Sequence, residues 1–417
     1  MTRYLVRLLP FIIACVATFS PVCAEQADSL ASAKSDTLQP ASNRPPLKAF
    51  SGFVRNVMDN VFRRTLQTDG IVHSWSYFPY PAYTPETSVI IGAQVNYLWK
   101  TTTASLTHDR PPNAEFDARY TFRNQWQLEA RLDAFFDNYR YRVFGNVVLE
   151  QYPLDFYGVG NTSFKSTGEL YTPLSLRVLA NASYSPLLFG EGRAFSVGLR
   201  TDVRRDQILL REAGGRLESG AVTGADGGWL AGLGGFAVMD VRDNIFSSTE
   251  GFYAEALATH YSPLLGSGFA CSVVSLDVRG FVPISGLSAR DVLAVQSYTG
   301  IGFGNVPFYA LPTLGGAKAF RGVLQGQFSD NVISYAQAEY RIPFADIFQV
   351  NAFVGVGATA HGVERLSGLF VGGQPHVMFG GGLRLFFDKH ERLAGRVDVA
   401  SVIGGTPKVY VGFSEAF

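Results

Sequence analysis

What this sequence has little of narrows its class before any motif is read. Its 417 residues hold three cysteines, Cys15, Cys23 and Cys271, and 35 Lys plus Arg are matched by 35 Asp plus Glu. Balanced charge leaves no field of one sign to gather nucleic acid, which argues against a nucleic-acid partner. Charged residues make up 17% of the chain, against roughly 25% in a typical soluble domain. After residue 24 no apolar run approaches the ~18 residues that a membrane helix requires, so a membrane protein of this sequence crosses as strands. What is abundant suits strands, turns and an apolar exterior: 44 Gly, 33 Phe and 19 Tyr.

Residues 1–24 read as a secretory signal peptide. Arg3 and Arg7 precede a mostly apolar stretch from Leu8 to Phe19, and Val22-Cys23-Ala24 is a small-residue cleavage site. Its removal leaves Cys271 alone, with no internal disulfide to form. Residues 25–49, rich in Ser, Ala, Asp, Gln and Pro, read as a disordered linker. Phe50, Phe53, Val54, Val57, Val61 and Leu66 recur near helical spacing, and Asp69-Gly70 ends the run, which predicts a short amphipathic helix over 50–70. Residues 71–417 are assigned to an outer-membrane β-barrel.

From about residue 85 the period is two. Phe116, Ala118, Tyr120 and Phe122 alternate with Asp117, Arg119, Thr121 and Arg123. Trp126, Leu128, Ala130, Leu132 and Ala134 alternate with Gln127, Glu129, Arg131 and Asp133. A soluble sandwich also alternates. Here the polar faces carry both charge signs and the apolar faces end in aromatics, strand after strand without helices, which fits lipid outside and an ion-paired lumen inside. Closure follows, because an open edge would leave backbone groups unsatisfied in hydrocarbon.

Fifteen such runs stand out between Glu86 and Phe417. Single-chain bacterial barrels have an even number of strands, so a sixteenth is assigned to Phe156–Ser163 as the fifth in order. The expected fold is a 16-stranded antiparallel transmembrane barrel. The long connections 101–113, 211–227 and 305–331 are expected on its outer side.

No H-E-x-x-H, G-x-S-x-G or P-loop string occurs, and the six histidines lack metal-ligand spacing. Two strings, Gly232 to Ala237 and Gly355 to Ala360, match a dinucleotide pattern but lie in strand runs with no following helix to receive a pyrophosphate. No cofactor, metal or catalytic residue is expected.

Several stretches carry a family resemblance: Asp240 to Gly251 (DVRDNIFSSTEG), Leu314-Gly315-Gly316 followed by Phe320-Arg321-Gly322, Gly380-Gly381-Gly382-Leu383-Arg384, and Arg396 to Ala400. In this order they resemble the bacterial surface antigen family, the BamA/TamA superfamily of outer-membrane assembly and translocation barrels. The resemblance implies sixteen strands, with the sixth outer loop folded back into the lumen. It implies that Phe320, Arg321, Gly322 and Val323 are the loop's anchoring motif. Val278-Arg279-Gly280-Phe281 fits the string better but lies on a strand. A buried arginine needs carboxylates to grip its planar fork. The family's usual aspartate is replaced by Gly355, so Glu339 and Asp398, on polar strand faces, are the candidate partners. Phe413 and Phe417 resemble the signal by which the assembly machinery recognises barrels, with a plain interfacial aromatic as the alternative for Phe417.

Family members that assemble or secrete proteins carry periplasmic POTRA modules, and the space before the barrel is too short for one. The expectation is a non-enzymatic barrel with a periplasmic N-terminus that aids insertion or translocation of proteins or lipids, partnered by outer-membrane lipids and the assembly machinery. The alternatives are a passive plugged pore without a client and a lipid-acting barrel enzyme.

Overall fold

The computed structural model describes residues 63–68, 71–101, 112–160, 168–190, 193–287, 290–344, 347–370, 374–388 and 392–417. Its strands begin with β1 (Arg63–Thr68), β2 (Ile71–Thr84), β3 (Ser88–Thr101), β4 (Asn113–Thr121), β5 (Trp126–Phe136), β6 (Tyr141–Gln151), β7 (Leu154–Phe156) and β8 (Glu169–Gly190). They continue with β9 (Arg193–Arg211), β10 (Gly228–Asp240), β11 (Gly251–Tyr261), β12 (Cys271–Ile284), β13 (Asp291–Gly304), β14 (Thr313–Leu314) and β15 (Phe328–Ser329). The last are β16 (Val332–Pro343), β17 (Phe348–Ala360), β18 (His376–Asp388), β19 (Leu393–Val402) and β20 (Lys408–Phe413).

Eighteen strands share one sheet, and β14 and β15 form a separate two-stranded one. Setting aside β1 and β7, which each pair with one neighbour, sixteen antiparallel strands close from β2 round to β20. Alternation explains the two faces. Leu128, Leu132, Val143 and Val147 stand exposed on the outside, with Phe122, Phe136, Tyr141, Trp229 and Phe303 toward strand ends. Inside, cross-strand ion pairs line the wall: Arg142 grips Asp133 at 2.7 and 2.8 Å, and Arg177 grips Asp202 at 2.9 and 2.6 Å. Both dinucleotide-like strings lie within strands, β10 and β17.

The sixteen strands are not quite those read from the sequence. Ile71–Thr84 is a crossing beyond the fifteen runs legible in the sequence, and Phe156–Ser163 is not one. Phe156 ends the three-residue β7, while Gly158 and Gly160 at φ 97° and 108° turn the chain away; residues 161–163 lie outside the described residues. The two errors offset each other in number but move one loop. Connections 152–168, 212–227 and 305–331 gather at one end, the loop end. β3 ends and β4 begins at the opposite, turn end, where β10 and β11 also meet, so the expected outer position of this connection is corrected; residues 102–111 lie outside the described residues. The predicted helix over 50–70 is also corrected: Arg63–Thr68 is a strand, held by six register pairs to β2, and residues 50–62 lie outside the described residues.

Candidate functional site

The connection 305–331 returns through the loop end into the lumen as a hairpin, with Thr313 opposite Ser329 and Leu314 opposite Phe328. Its outer part is tied down by Phe308, whose ring meets Phe156 and Tyr171 edge-on at 5.2 and 5.3 Å. Its inner part buries Leu314, Phe320, Val323 and Phe328 against Ile333, Tyr335, Phe353, Met378 and Tyr410 of the wall. Phe320 has a φ of 54°, a left-handed conformation costing a non-glycine residue ~1–2 kcal/mol. Its fully buried ring contributes about as much or more, since burying a large apolar side chain is worth roughly 1.5–3 kcal/mol.

Arg321 follows and is wholly buried. Its Nη1 donates to Asp398 Oδ2 at 2.8 Å, its Nη2 donates to Glu339 Oε2 at 2.8 Å, and its guanidinium lies 3.5 Å from the centroid of the Phe353 ring. Gly322 has a φ of 93°, and a Cβ there would stand 2.9 Å from the Ser401 backbone. Glycine alone permits both the turn and the approach. The Gly322 N–H donates to the Tyr410 hydroxyl at 3.0 Å, and that hydroxyl donates to the Val323 carbonyl at 3.3 Å.

The structure thus brings together Phe320, Arg321, Gly322, Val323, Glu339 and Asp398. It leaves the lookalike Arg279 on β12, paired with Asp277 of its own strand at 2.5 Å. At Gly355 a side chain would meet Met378, Gln337 and the Ala336 carbonyl; the carboxylates reach Arg321 from β16 and β19 instead.

Sequence reasoning missed the rest of the network. Arg384 donates to Asp398 Oδ1 at 2.6 Å and to Glu415 Oε2 at 2.7 Å. Arg341 donates to Glu339 Oε1 at 2.9 Å, to the Ser248 carbonyl at 3.0 Å and to the Phe417 main-chain oxygen at 3.0 Å. Asn351 and Gln349 donate to Glu415 at 3.2 and 2.7 Å. Their signal was parity: all lie on the polar face of strands already read. Glu415 does not, because Ser414 at φ 60° breaks the strand period and turns 415–417 into the lumen. Phe417 is therefore no interfacial aromatic; it packs with Phe281, Ala294 and Ala416. Phe413 lies at the seam, edge-on to Phe78 at 5.1 Å and Tyr80 at 6.0 Å.

The turn 241–250 closes the lumen from below. Asp243 accepts from Thr249 N at 2.8 Å, Thr249 Oγ1 at 2.6 Å and Arg392 at 2.6 Å, reaching the β18–β19 turn. Burial acts to raise its carboxyl, but these bonds outweigh it and hold it below the ordinary value. Between hairpin, tail and wall remains a cavity of about 680 Å³ lined by Arg242, Arg279, Tyr298, Lys318 and Glu415 among others. Burial, then the guanidinium groups of Arg396, Arg131, Arg279 and Arg119, push the Lys318 ammonium below its ordinary value. Among the described residues no three His, Cys, Asp or Glu side chains are grouped to hold a metal ion.

The barrel joins its ends thinly. β19 and β20 pair over six residues, but β2 meets β20 at one register position, Tyr83 opposite Val411.

A family model for the Omp85 superfamily domain matches residues 90–385. The chain belongs to the Omp85 superfamily. Among solved structures, this Omp85 barrel is similar to BamA from Haemophilus ducreyi lacking POTRA domains 1–3, at 12% identity and a TM-score of 0.55, covering 88% of this chain and 77% of that one. It is also similar to CdiB from Acinetobacter baumannii, at 12% identity and 0.52, covering 84% and 60%. For CdiB from Escherichia coli the values are 9% and 0.54, covering 86% and 68%. At such identities the likeness is one of fold. No curated protein sequence matches.

Proposed function

We propose that this Omp85 barrel is a non-enzymatic component of the bacterial outer membrane that aids insertion or translocation of proteins or lipids through the seam between β2 and β20. In this reading the loop end faces outward and the N-terminal side is periplasmic. The observation that carries it is the seam itself: neighbouring strands elsewhere pair over many residues, whereas β2 and β20 share one register pair. A sheet opens where fewest ladder bonds must break. Phe320 to Val323 act as the loop's anchor, and the ionic cluster around Arg321 stiffens the wall from β16 to β19, next to β20, while the seam moves. Outer-membrane lipids are the surrounding partners, and the assembly machinery engages Phe413 and Phe417 during biogenesis.

A cysteine pair at Tyr83 and Val411, oxidised in cells, tests this. Locked cells that behave like a deletion strain, with recovery on reduction, support the reading. Locked cells that match wild type while the deletion strain does not overturn it. A second reading, a passive plugged barrel, is favoured by the lumen being filled from both ends, by the 313–329 hairpin and by the 414–417 tail. Purified protein that cleaves no phospholipid or ester substrate disposes of a lipid-acting enzyme.

A further inference from the structure

Arg396 of β19 has a strand neighbour on each side, and neither offers a counter-charge: Arg384 of β18 stands opposite on one side and Gly412 of β20 on the other. Like charges directly opposed destabilise a strand pair. Arg384 is held by Asp398 and Glu415, but Arg396 is not held in this way. It is 4% exposed, its Nε lies 3.7 Å from Asp398 Oδ2, an oxygen that already accepts from Arg321, and neither Nε nor Nη1 makes a hydrogen bond among the described residues. Donors of a buried guanidinium are costly to leave unsatisfied, and an acceptor that reaches them removes that cost.

The folded-back hairpin adds a second cation. Lys318 has no carboxylate partner among the described residues, and the four charges acting most strongly on its ammonium are guanidinium groups, that of Arg396 first, then those of Arg131, Arg279 and Arg119. The last three are neutralised on the wall: Arg131 by Glu129 at 2.6 Å, Arg279 by Asp277 at 2.5 Å and Arg119 by Glu129 at 3.2 Å. Lys318 is therefore left with no counter-charge, and Arg396 with a share of one carboxylate that also serves Arg321 and Arg384. Lys318 also lines the cavity of about 680 Å³, where Ile245, Phe246 and Phe417 supply apolar surface. That volume suits a small-molecule site. The carboxylates on the same lining are already engaged, Asp277 by Arg279 and Glu415 by Arg384.

We propose that Lys318 and Arg396 form a luminal binding site for a phosphate group, reached through this cavity. A carboxylate would bring one charge and two oxygens in a plane. A phosphate monoester brings about −1.5 to −2 at pH 7 and three strong acceptor oxygens, so it can accept from the ammonium of the hairpin and from the guanidinium of the wall together. Bound there, it ties the hairpin to β19 beside the Arg321–Asp398 pair, whether or not the seam opens. The group arrives on a lipid headgroup or as free phosphate.

The test titrates the full chain in detergent micelles, by calorimetry at constant ionic strength, with inorganic phosphate and separately with dihexanoyl phosphatidic acid. Lys318→Met and Arg396→Gln should each weaken binding roughly tenfold or more, the loss expected for a hydrogen bond to a charged group, and Lys318→Arg should restore most of it. Phosphate should also raise the unfolding temperature of the wild type on semi-native gels, and leave that of Lys318→Met unchanged. Lys318→Met removes an ammonium without a partner and should fold, so it decides the matter alone if Arg396→Gln does not fold. Wild-type protein that takes up neither probe, or equal binding by Lys318→Met, overturns the site. Equal affinity for the two probes upholds it as a site for free phosphate; much tighter binding of phosphatidic acid upholds it as a site for a lipid headgroup.

Discussion

Asp398 divides its carboxylate between the folded-back loop and the wall: Oδ2 accepts from Arg321 at 2.8 Å and Oδ1 from Arg384 at 2.6 Å. Glu339 does the same between Arg321 and Arg341, at 2.8 and 2.9 Å. All five side chains are essentially buried, so the loop is fastened by the groups that neutralise the wall.

Arg321→Ala removes the loop's share and leaves two carboxylates with Arg341 and Arg384. Breaking a buried pair costs about 3–5 kcal/mol, and the remaining partners bring the expected loss to the low end. Single-channel recordings in planar bilayers should show higher conductance as the hairpin loosens, and Arg321→Lys should fall between, since an ammonium cannot present the fork. Unchanged conductance in the alanine variant would mean that the anchor does not hold the plug.

Gly322→Ala places a methyl against the Ser401 backbone at a φ of 93°, and should cost roughly 1–3 kcal/mol. Tyr410→Phe should cost about 1 kcal/mol, because it removes the hydroxyl that accepts from Gly322 and donates to Val323. Protease sensitivity of the loop in intact vesicles should rise more for the first than for the second.

Much of this was legible because period two is explicit on β4, β5 and β6, and because Arg321 lies beside Gly322 in the long loop. What was not legible has physical causes. Pro79 and Pro81 make β2 read as a non-strand, although they mark it as the seam strand. Apolar residues near helical spacing suggested a helix through Leu66, where tertiary pairing with β2 prevails. Ser414 reverses the tail by a single dihedral angle, which no periodicity reports, so Glu415 and Phe417 could not be placed in the lumen.

The 241–250 turn should be sensitive to acid. The Asp243 carboxyl is held below its ordinary value by Thr249, Glu250 and Arg392. Its stabilisation is therefore complete above the unfolded value near ~4 and is lost as pH falls through the lower folded value. Relative to the intrinsic exchange rate at each pH, the protection of amides in this turn should fall below about pH 4 in the wild type. In Asp243→Asn protection should be low and flat with pH.

Phe413 and Phe417 separate two roles. Phe413→Ala loses two edge-on contacts across the seam, worth about 0.5–1.5 kcal/mol each, and should lower the temperature at which the folded barrel unfolds on semi-native gels. If both aromatics are read during assembly, pulse-chase folding should slow in Phe413→Ala and Phe417→Ala alike. Normal assembly kinetics in both would remove that role.

The seam is tested most directly by amide hydrogen exchange of the protein in lipid vesicles, strand by strand. The expected result is fast exchange in β20 and at residues 77–83 of β2, beside strong protection of β10 and β11 on the opposite wall. Equal protection all the way round would contradict an opening between β2 and β20.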